Sequence, residues 1–274
     1  MATPGASSAT RVTDGGPRLV APPGIPRPTS WLPATLAGAR RENAVARTLA
    51  FDVPGWPGHR AGQHVIVRLR AEDGYTAQRS YSIASAPGVP GTVPDGGASG
   101  DRIELTVQRL PDGEVSPYLT DVIEPGDQVE IRGPIGSWFT WSPAAGAGPG
   151  GGRAPVQLIA GGSGIVPLMA MIRAVDGTIP CRLLYSARTP DDVIYGDELE
   201  RRSSGSRLAV TYLFTRAQGR ISAGLVADAT WAPELAPEIF ACGPSGFVEA
   251  AASLLIEAGH HPATIKTERF GPTS

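Results

Sequence analysis

Val156-Gln157-Leu158-Ile159-Ala160-Gly161-Gly162-Ser163-Gly164 reads as a strand that runs straight into a glycine turn. The strand is mostly apolar, as expected where both faces of a parallel sheet are covered. After the turn, Ile165, Leu168, Met169, Ile172 and Val175 recur at helical spacing and define one buried face. Pro167 falls in the first turn of that helix, where a missing N–H costs nothing. A glycine turn between strand and helix can set bare N–H groups against a pyrophosphate. The spacing departs from Gly-x-Gly-x-x-Gly: Gly161, Gly162 and Gly164 are followed by Pro167 where the last glycine would stand. Taken alone, the turn carries little specificity.

Outward from this stretch toward the C-terminus, strands and helices alternate. Arg182 to Ser186 reads as a strand, Asp191 to Arg202 as a helix and Leu208 to Phe214 as a third strand. Ile239 to Cys242 repeats the strand, and Gly243-Pro244 repeats the turn. A helix carrying Phe247, Ala251, Leu254 and Ala258 follows, and Ile265 to Phe270 is a last strand. Alternation of this kind predicts βαβ units and a parallel sheet with ligand sites at the carboxyl ends of the strands. Neither Ser163 nor Ser245 sits in a Gly-x-Ser-x-Gly elbow, because Ile165 and Phe247 occupy the final position, so hydrolase chemistry is disfavoured.

Toward the N-terminus the texture differs. Val45 to Phe51, Val65 to Leu69, Ile103 to Gln108 and Val129 to Arg132 alternate apolar and polar residues between turns such as Pro54-Gly55-Trp56-Pro57-Gly58. Five or six short strands at this spacing predict a small antiparallel barrel. Within it, Arg79-Ser80-Tyr81-Ser82 presents a guanidinium, a ring and hydroxyls, with Arg79 and Tyr81 on one face and Ser80 and Ser82 on the other. These groups suit a nucleotide-like cofactor, and equally an ordinary barrel strand with an exposed arginine. Gly113-Glu114-Val115-Ser116-Pro117 reads as a tight turn and a helix start, with Ser116 at the N-cap and Pro117 at the first helical position. It is either an anion site or a capped helix that closes the barrel. Gly133-Pro134-Ile135-Gly136 reads as a tight bend, with Trp138 and Phe139 adding apolar mass after it. The loop from Gly88 to Gly100 is expected to be mobile.

Bulk properties narrow the classes further. In 274 residues, 24 basic and 26 acidic side chains give a net charge of −2, so neither nucleic acid nor a membrane surface is expected as partner. Two cysteines, Cys181 and Cys242, are too few for a disulfide framework or an iron–sulfur cluster, and no metal site is expected. No apolar run reaches the length of a membrane span. Residues 1–30 read as a disordered tail without a signal-peptide core, and Arg40-Arg41 has no apolar stretch behind it. A cytoplasmic monomer is expected. The four histidines, His59, His64, His260 and His261, suggest turns and surface.

The ordered set Arg79-Ser80-Tyr81-Ser82, Gly113 to Ser116, Gly133 to Gly136, Gly161 to Pro167, Cys242-Gly243-Pro244 and Glu268-Arg269-Phe270-Gly271-Pro272 resembles the ferredoxin–NADP reductase superfamily. The resemblance runs from about Trp31 to the C-terminus. Its closing motif is similar to flavohemoglobin-type and oxygenase-reductase-type members. It implies a β plus α/β fold: a six-stranded antiparallel FAD-binding barrel over 31–143, a linker over 144–154, and a Rossmann-like NAD(P)H-binding domain over 155–274.

The resemblance also implies roles. Arg79 pairs with the flavin phosphates, Tyr81 stacks on the isoalloxazine and Ser82 approaches its N5 edge, with Ser80 in the same strand and Ser85 lining the site. Gly113, Glu114, Val115 and Ser116 hold a pyrophosphate, which favours FAD over FMN. Gly161, Gly162, Ser163, Gly164 and Pro167 hold the NADPH or NADH pyrophosphate. Cys242, Gly243 and Pro244 lie beside the nicotinamide, and Glu268 and Phe270 reach the far flavin face. Arg216 and Arg220, helped by Ser186, Arg188 and Thr215, either grip a 2′-phosphate or are merely exposed at strand ends. Cys242 is a contact or a small core residue.

The implied activity is an NAD(P)H-dependent flavoprotein reductase. It passes hydride to FAD and then single electrons to a separate protein such as a ferredoxin or an oxygenase, because no iron–sulfur module or globin accompanies the motifs. The alternative is a non-catalytic flavin-binding electron-transfer subunit of a larger complex.

Overall fold

The computed structural model describes residues 30–88, 101–143, 153–175, 177–205 and 207–270. Almost all of the residues expected to form a tail, the loop expected to be mobile (all but Gly88) and most of the linker fall outside them, as do Gly271 and Pro272.

The first half forms six strands: β1 (Leu32–Arg41), β2 (Ala46–Asp52), β3 (His64–Arg70), β4 (Thr76–Ser82), β5 (Arg102–Gln108) and β6 (Gln128–Ile135). Their order is β4-β3-β6-β1-β2-β5, all antiparallel. Beyond β4 the chain crosses to β5, where Ile83 bridges Leu105 and the Ala84 N–H donates to the Glu104 carbonyl at 2.8 Å. That contact curls the sheet into the expected barrel. Inside it Leu36, Leu49, Phe51, Val65, Val67, Ile103, Leu105 and Ile131 are fully or almost fully buried. Each contributes about 1.5–3 kcal/mol relative to exposure, which fixes the register of every strand.

The second half is a five-stranded parallel sheet of β7 (Val156–Gly161), β8 (Cys181–Ala187), β9 (Leu208–Phe214), β10 (Glu238–Pro244) and β11 (Ile265–Phe270), in the order β11-β10-β7-β8-β9. The chain winds outward from β7 through β8 to β9, then returns to β10 on the other side. Ligands bind at such a switch point, here between the carboxyl ends of β7 and β10.

Four local expectations are corrected. The helix α1 spans Val115–Pro117 with Glu114 at its N-cap, so Ser116 lies inside it and Pro117 is its third residue. The Ser116 hydroxyl instead accepts the Leu110 N–H at 3.0 Å. The bend expected over 133–136 is narrower: β6 runs on to Ile135, with a register shift against β3 between Arg132 and Ile135, and Gly133 packs where a Cβ would stand 2.7 Å from Val65 Cγ1. The turn comes at Gly136, with φ +105°. After α2 (Ile165–Ala174), the helix α3 spans Gly196–Gly205 and not Asp191 to Arg202. A 3-10 turn at Pro190–Asp192 and the left-handed Tyr195, φ +63°, delay its start. Finally, His64 lies within β3 and His260 is buried, while His59 accepts from Trp56 Nε1 at 3.3 Å and pairs with the Ser85 carbonyl at 3.1 Å. The helices α4 (Thr215–Gln218), α5 (Ala223–Ala229) and α6 (Ser245–Glu257) complete the fold, the first two unread in the sequence.

Candidate functional site

The strand β4 is the edge of its sheet, so one side of its backbone lacks a ladder partner until Ile83. Register sets Tyr81 opposite Val65, Arg79 opposite Val67 and Ala77 opposite Leu69. Directly opposed residues share a face, so these three point to the barrel side, toward α1. There Ala77, Tyr81 and Tyr118 pack against the barrel core that includes Val115. Burial raises the Tyr81 phenol well above its usual range. Ser80 and Ser82 take the opposite face, Ser80 exposed and Ser82 buried.

Among the described residues the Arg79 guanidinium is bonded only to the Gln78 carbonyl, at 2.7 Å, and it is exposed. An exposed cation with no carboxylate on it among the described residues fits a phosphate. Glu114 points away from this role. Its carboxylate accepts the Tyr75 hydroxyl at 2.9 and 3.0 Å, which ties the β3–β4 hairpin to α1. Gly113 needs no left-handed backbone; its lack of a side chain leaves room for Ser116 Oγ, 3.0 Å from where a Cβ would stand. Ser85 stands apart. Its hydroxyl accepts the Glu104 N–H at 3.1 Å, on the seam that closes the barrel.

The sheet supplies the opposite wall. At the end of β7, Gly161 leaves the space that the Phe247 ring fills, and a Cβ there would lie 2.5 Å from that ring. Gly162, φ +55°, and Ser163 stand partly exposed at the mouth, while Gly164 and Pro167 are buried. A Cβ on Gly164 would come within 2.2 Å of the Cys242 carbonyl oxygen. Two backbones therefore meet at the switch point, which leaves the cradle narrow and lined by N–H and C=O groups. In register across β10 and β11, Cys242 pairs with Glu268 and Pro244 with Phe270.

Burial pushes the Glu268 carboxyl up to about 7 and holds the Cys242 thiol well above its ordinary range. A neutral thiol is no nucleophile. Phe270 packs against the same apolar cluster as Ala84, two residues beyond Ser82, and Phe139. Ala84 and Phe270 thus belong to one apolar cluster of the sheet half, while Tyr81 belongs to the barrel core.

The carboxyl ends of β8 and β9 bring Ser186, Arg188, Thr215 and Arg216 side by side, with the Arg216 N–H donating to the Arg188 carbonyl at 3.1 Å. Arg188, Arg216 and Arg220 are exposed, and Arg220 lies past the Gly219 turn that ends α4. Sequence reading missed the charged cluster between the two halves, centred on Arg173. Its members are far apart in sequence, and only the residue types carried any signal.

Comparison with known proteins decides the family. One family model, the oxidoreductase FAD-binding domain, matches residues 35–140, and a second, the oxidoreductase NAD-binding domain, matches 158–253. This chain belongs to the ferredoxin–NADP reductase superfamily.

Its superfamily membership accounts for the arrangement above: an FAD-binding barrel half and an NAD-binding sheet half. It is 31% identical over 242 residues to the glycine betaine monooxygenase reductase subunit of Chromohalobacter salexigens, covering 83% of this chain and 61% of that one. It is 32% identical over 239 residues to an NADPH oxidoreductase of Mycobacterium tuberculosis, covering 82% and 56% respectively. The chain thus spans a little over half the length of the curated relatives it matches. Among solved structures, the FAD/NAD-binding domain of nitric oxide dioxygenase from Vibrio cholerae superposes with a TM-score of 0.72 at 20% identity, covering 88% of this chain and 99% of that one. No helix among the described residues is long and apolar enough to cross a membrane.

Proposed function

We propose that the chain is an NAD(P)H-dependent flavoprotein reductase that delivers electrons to a separate redox protein. The single observation that carries this is the convergence at the switch point. Gly164 abuts Cys242 there, Cys242 and Pro244 pair with Glu268 and Phe270 on the adjoining β11, and Phe270 packs against the cluster that contains Ala84, just past Ser82. The chemistry supplied by the bound flavin and nicotinamide is hydride transfer followed by release of single electrons.

The protein's part is binding, orientation and exclusion of water. Arg79 and the N–H groups at 113–116 would hold the FAD phosphates, and Tyr81 would form one wall of the ring site with Ser82 near its edge. Gly161 to Gly164, backed by Pro167, hold the coenzyme pyrophosphate. Cys242, Gly243 and Pro244 would flank a nicotinamide, and Phe270 would line the ring site. Glu268, half-protonated near neutral pH, holds a proton beside the Cys242 thiol. Arg216 and Arg188, exposed at neighbouring strand ends, would receive the ribose end of the coenzyme and would favour a 2′-phosphate.

The division into an FAD domain at 31–143, a linker at 144–154 and an NAD(P)H domain at 155–274 belongs to the same proposal, as does a cytoplasmic setting. The acceptor is a separate protein, as the reductase-subunit names of the relatives suggest, and it takes electrons one at a time. The test is anaerobic mixing of the FAD-loaded protein with NADPH or NADH, following the flavin colour, and then addition of a one-electron acceptor. Rapid bleaching by either coenzyme and recovery on adding the acceptor are expected. A chain that takes up no FAD, or whose flavin neither coenzyme bleaches, sinks the proposal.

A further inference from the structure

Arg173 lies on the last turn of α2, the helix that starts at the glycine turn. Its side chain is 10% exposed. One terminal nitrogen donates to the Ala84 carbonyl at 2.9 Å and to Glu104 Oε2 at 2.7 Å, both on the barrel half. The rest of the fork donates to Glu198 of α3 at 3.0 and 2.6 Å. The guanidinium also stands 5.3 Å from the ring centre of Tyr195. It is thus bonded to both halves of the molecule at once.

The bonds continue on both sides. Glu104 accepts Arg40 at 3.0 Å, and Arg40 reaches Glu42 at 2.9 Å. Glu198 accepts Arg202 at 2.9 Å. Three cations and three carboxylates therefore alternate in a chain, Glu42–Arg40–Glu104–Arg173–Glu198–Arg202, and cross between the halves at Arg173. Tyr195 reinforces the crossing. It is 2% exposed and left-handed, a strained backbone for a bulky residue. What holds it there reaches across from the barrel: its hydroxyl donates to the Thr106 hydroxyl, and its N–H donates to Glu42 Oε2 at 3.2 Å. Strain persists only where the surroundings over-determine it.

We infer that Arg173 is a positioning residue for hydride transfer, fixing α2 against the barrel so that the coenzyme cradle stands at the right depth over the flavin site. This rests on the reductase reading above. The helix is the lever. Ten residues at about 1.5 Å each make it about 15 Å long. Its N-terminal end continues directly from the Gly162–Gly164 turn that packs against Cys242, and its C-terminal end is clamped to Ala84, just beyond β4. Tilting the helix moves the cradle relative to that strand. Hydride transfer needs rings at near-contact distance, where a displacement of about 1 Å costs about a hundredfold in rate. A planar fork with fixed donors defines the tilt; a lysine at the same place keeps the charge but not the geometry.

The test compares Arg173→Lys and Tyr195→Phe with the native chain, each loaded with FAD and mixed anaerobically with saturating NADH and NADPH. In Arg173→Lys, flavin reduction is expected to slow about tenfold, with FAD content, coenzyme affinity and the reoxidation of chemically reduced flavin by ferricyanide unchanged. Tyr195→Phe, which alters no charge, is expected to slow the same step less. If Arg173→Lys does not fold, Tyr195→Phe alone decides. Unchanged reduction in both variants overturns the inference, and so does a loss of rate matched by a loss of FAD content, since that marks a purely structural role. A native chain that binds FAD but is not bleached by either coenzyme removes the reductase reading first, and the inference with it.

Discussion

Cys242 Sγ lies 4.0 Å from Glu268 Oε2, across the parallel pairing of β10 and β11 at the switch point of the sheet. Burial disfavours the charged form of both groups, and the Glu268 charge further opposes ionisation of the thiol. The pair is therefore most stable as neutral acid beside neutral thiol.

A pH dependence follows. The Glu268 carboxyl is raised from an ordinary 4.5 to about 7, so the folded chain binds a proton that the unfolded chain releases. Its contribution to stability is fully present below about 4.5 and is lost as pH rises through about 7. Denaturant unfolding of the native chain should lose about 3 kcal/mol across that window. Glu268→Gln should be flat there; the same slope in the variant would assign the loss to other groups.

Arg79→Ala should weaken FAD binding by about 1.5–3 kcal/mol, the worth of a charge-assisted bond. Riboflavin, which lacks phosphate, should bind the variant and the native chain alike. Fluorescence titration with the two flavins checks this. Full FAD affinity in the variant would free Arg79 of a phosphate role.

Arg216→Ala should raise the KM for NADPH at least about tenfold while leaving NADH nearly unchanged, because in the proposed site its guanidinium would recognise a 2′-phosphate that NADH lacks. Steady-state kinetics with both coenzymes decides. Equal losses for the two would remove Arg216 from coenzyme choice.

Gly164→Ala should destabilise the fold by about 1–3 kcal/mol or more, since its Cβ would stand 2.2 Å from the Cys242 carbonyl oxygen. Gly162→Ala is strained by its left-handed backbone but meets nothing within 4 Å. Gly164→Ala should therefore be the worse of the two. Denaturation midpoints compare them, and a milder Gly164→Ala would refute the close approach at the switch point.

The sequence by itself determined the two architectures and the order of the motifs. Alternation of apolar residues in Val65 to Leu69 and Ile103 to Gln108 has period two, and the Ile165 to Ile172 face has a helical period. Both are local consequences of backbone geometry and survive in one dimension. The glycines at 161, 162 and 164 marked a turn for the same reason.

Helix starts were less legible. Ser116 has the chemistry of an N-cap, but its hydroxyl is taken by Leu110, and α3 waits for Gly196 because the barrel holds Tyr195 in a conformation its own sequence would not choose. The tertiary structure alone decided how the halves meet. Arg40, Glu42, Glu104, Arg173, Glu198 and Arg202 have no spacing that relates them, since an ion pair depends on distance in space and not along the chain. The arrangement also settled which side of β4 faces α1, and that Phe270 joins the cluster containing Ala84 while Tyr81 joins the barrel core. Strand period gave the alternation of Arg79-Ser80-Tyr81-Ser82, but only pairing with Val65 and Val67 gave it a direction.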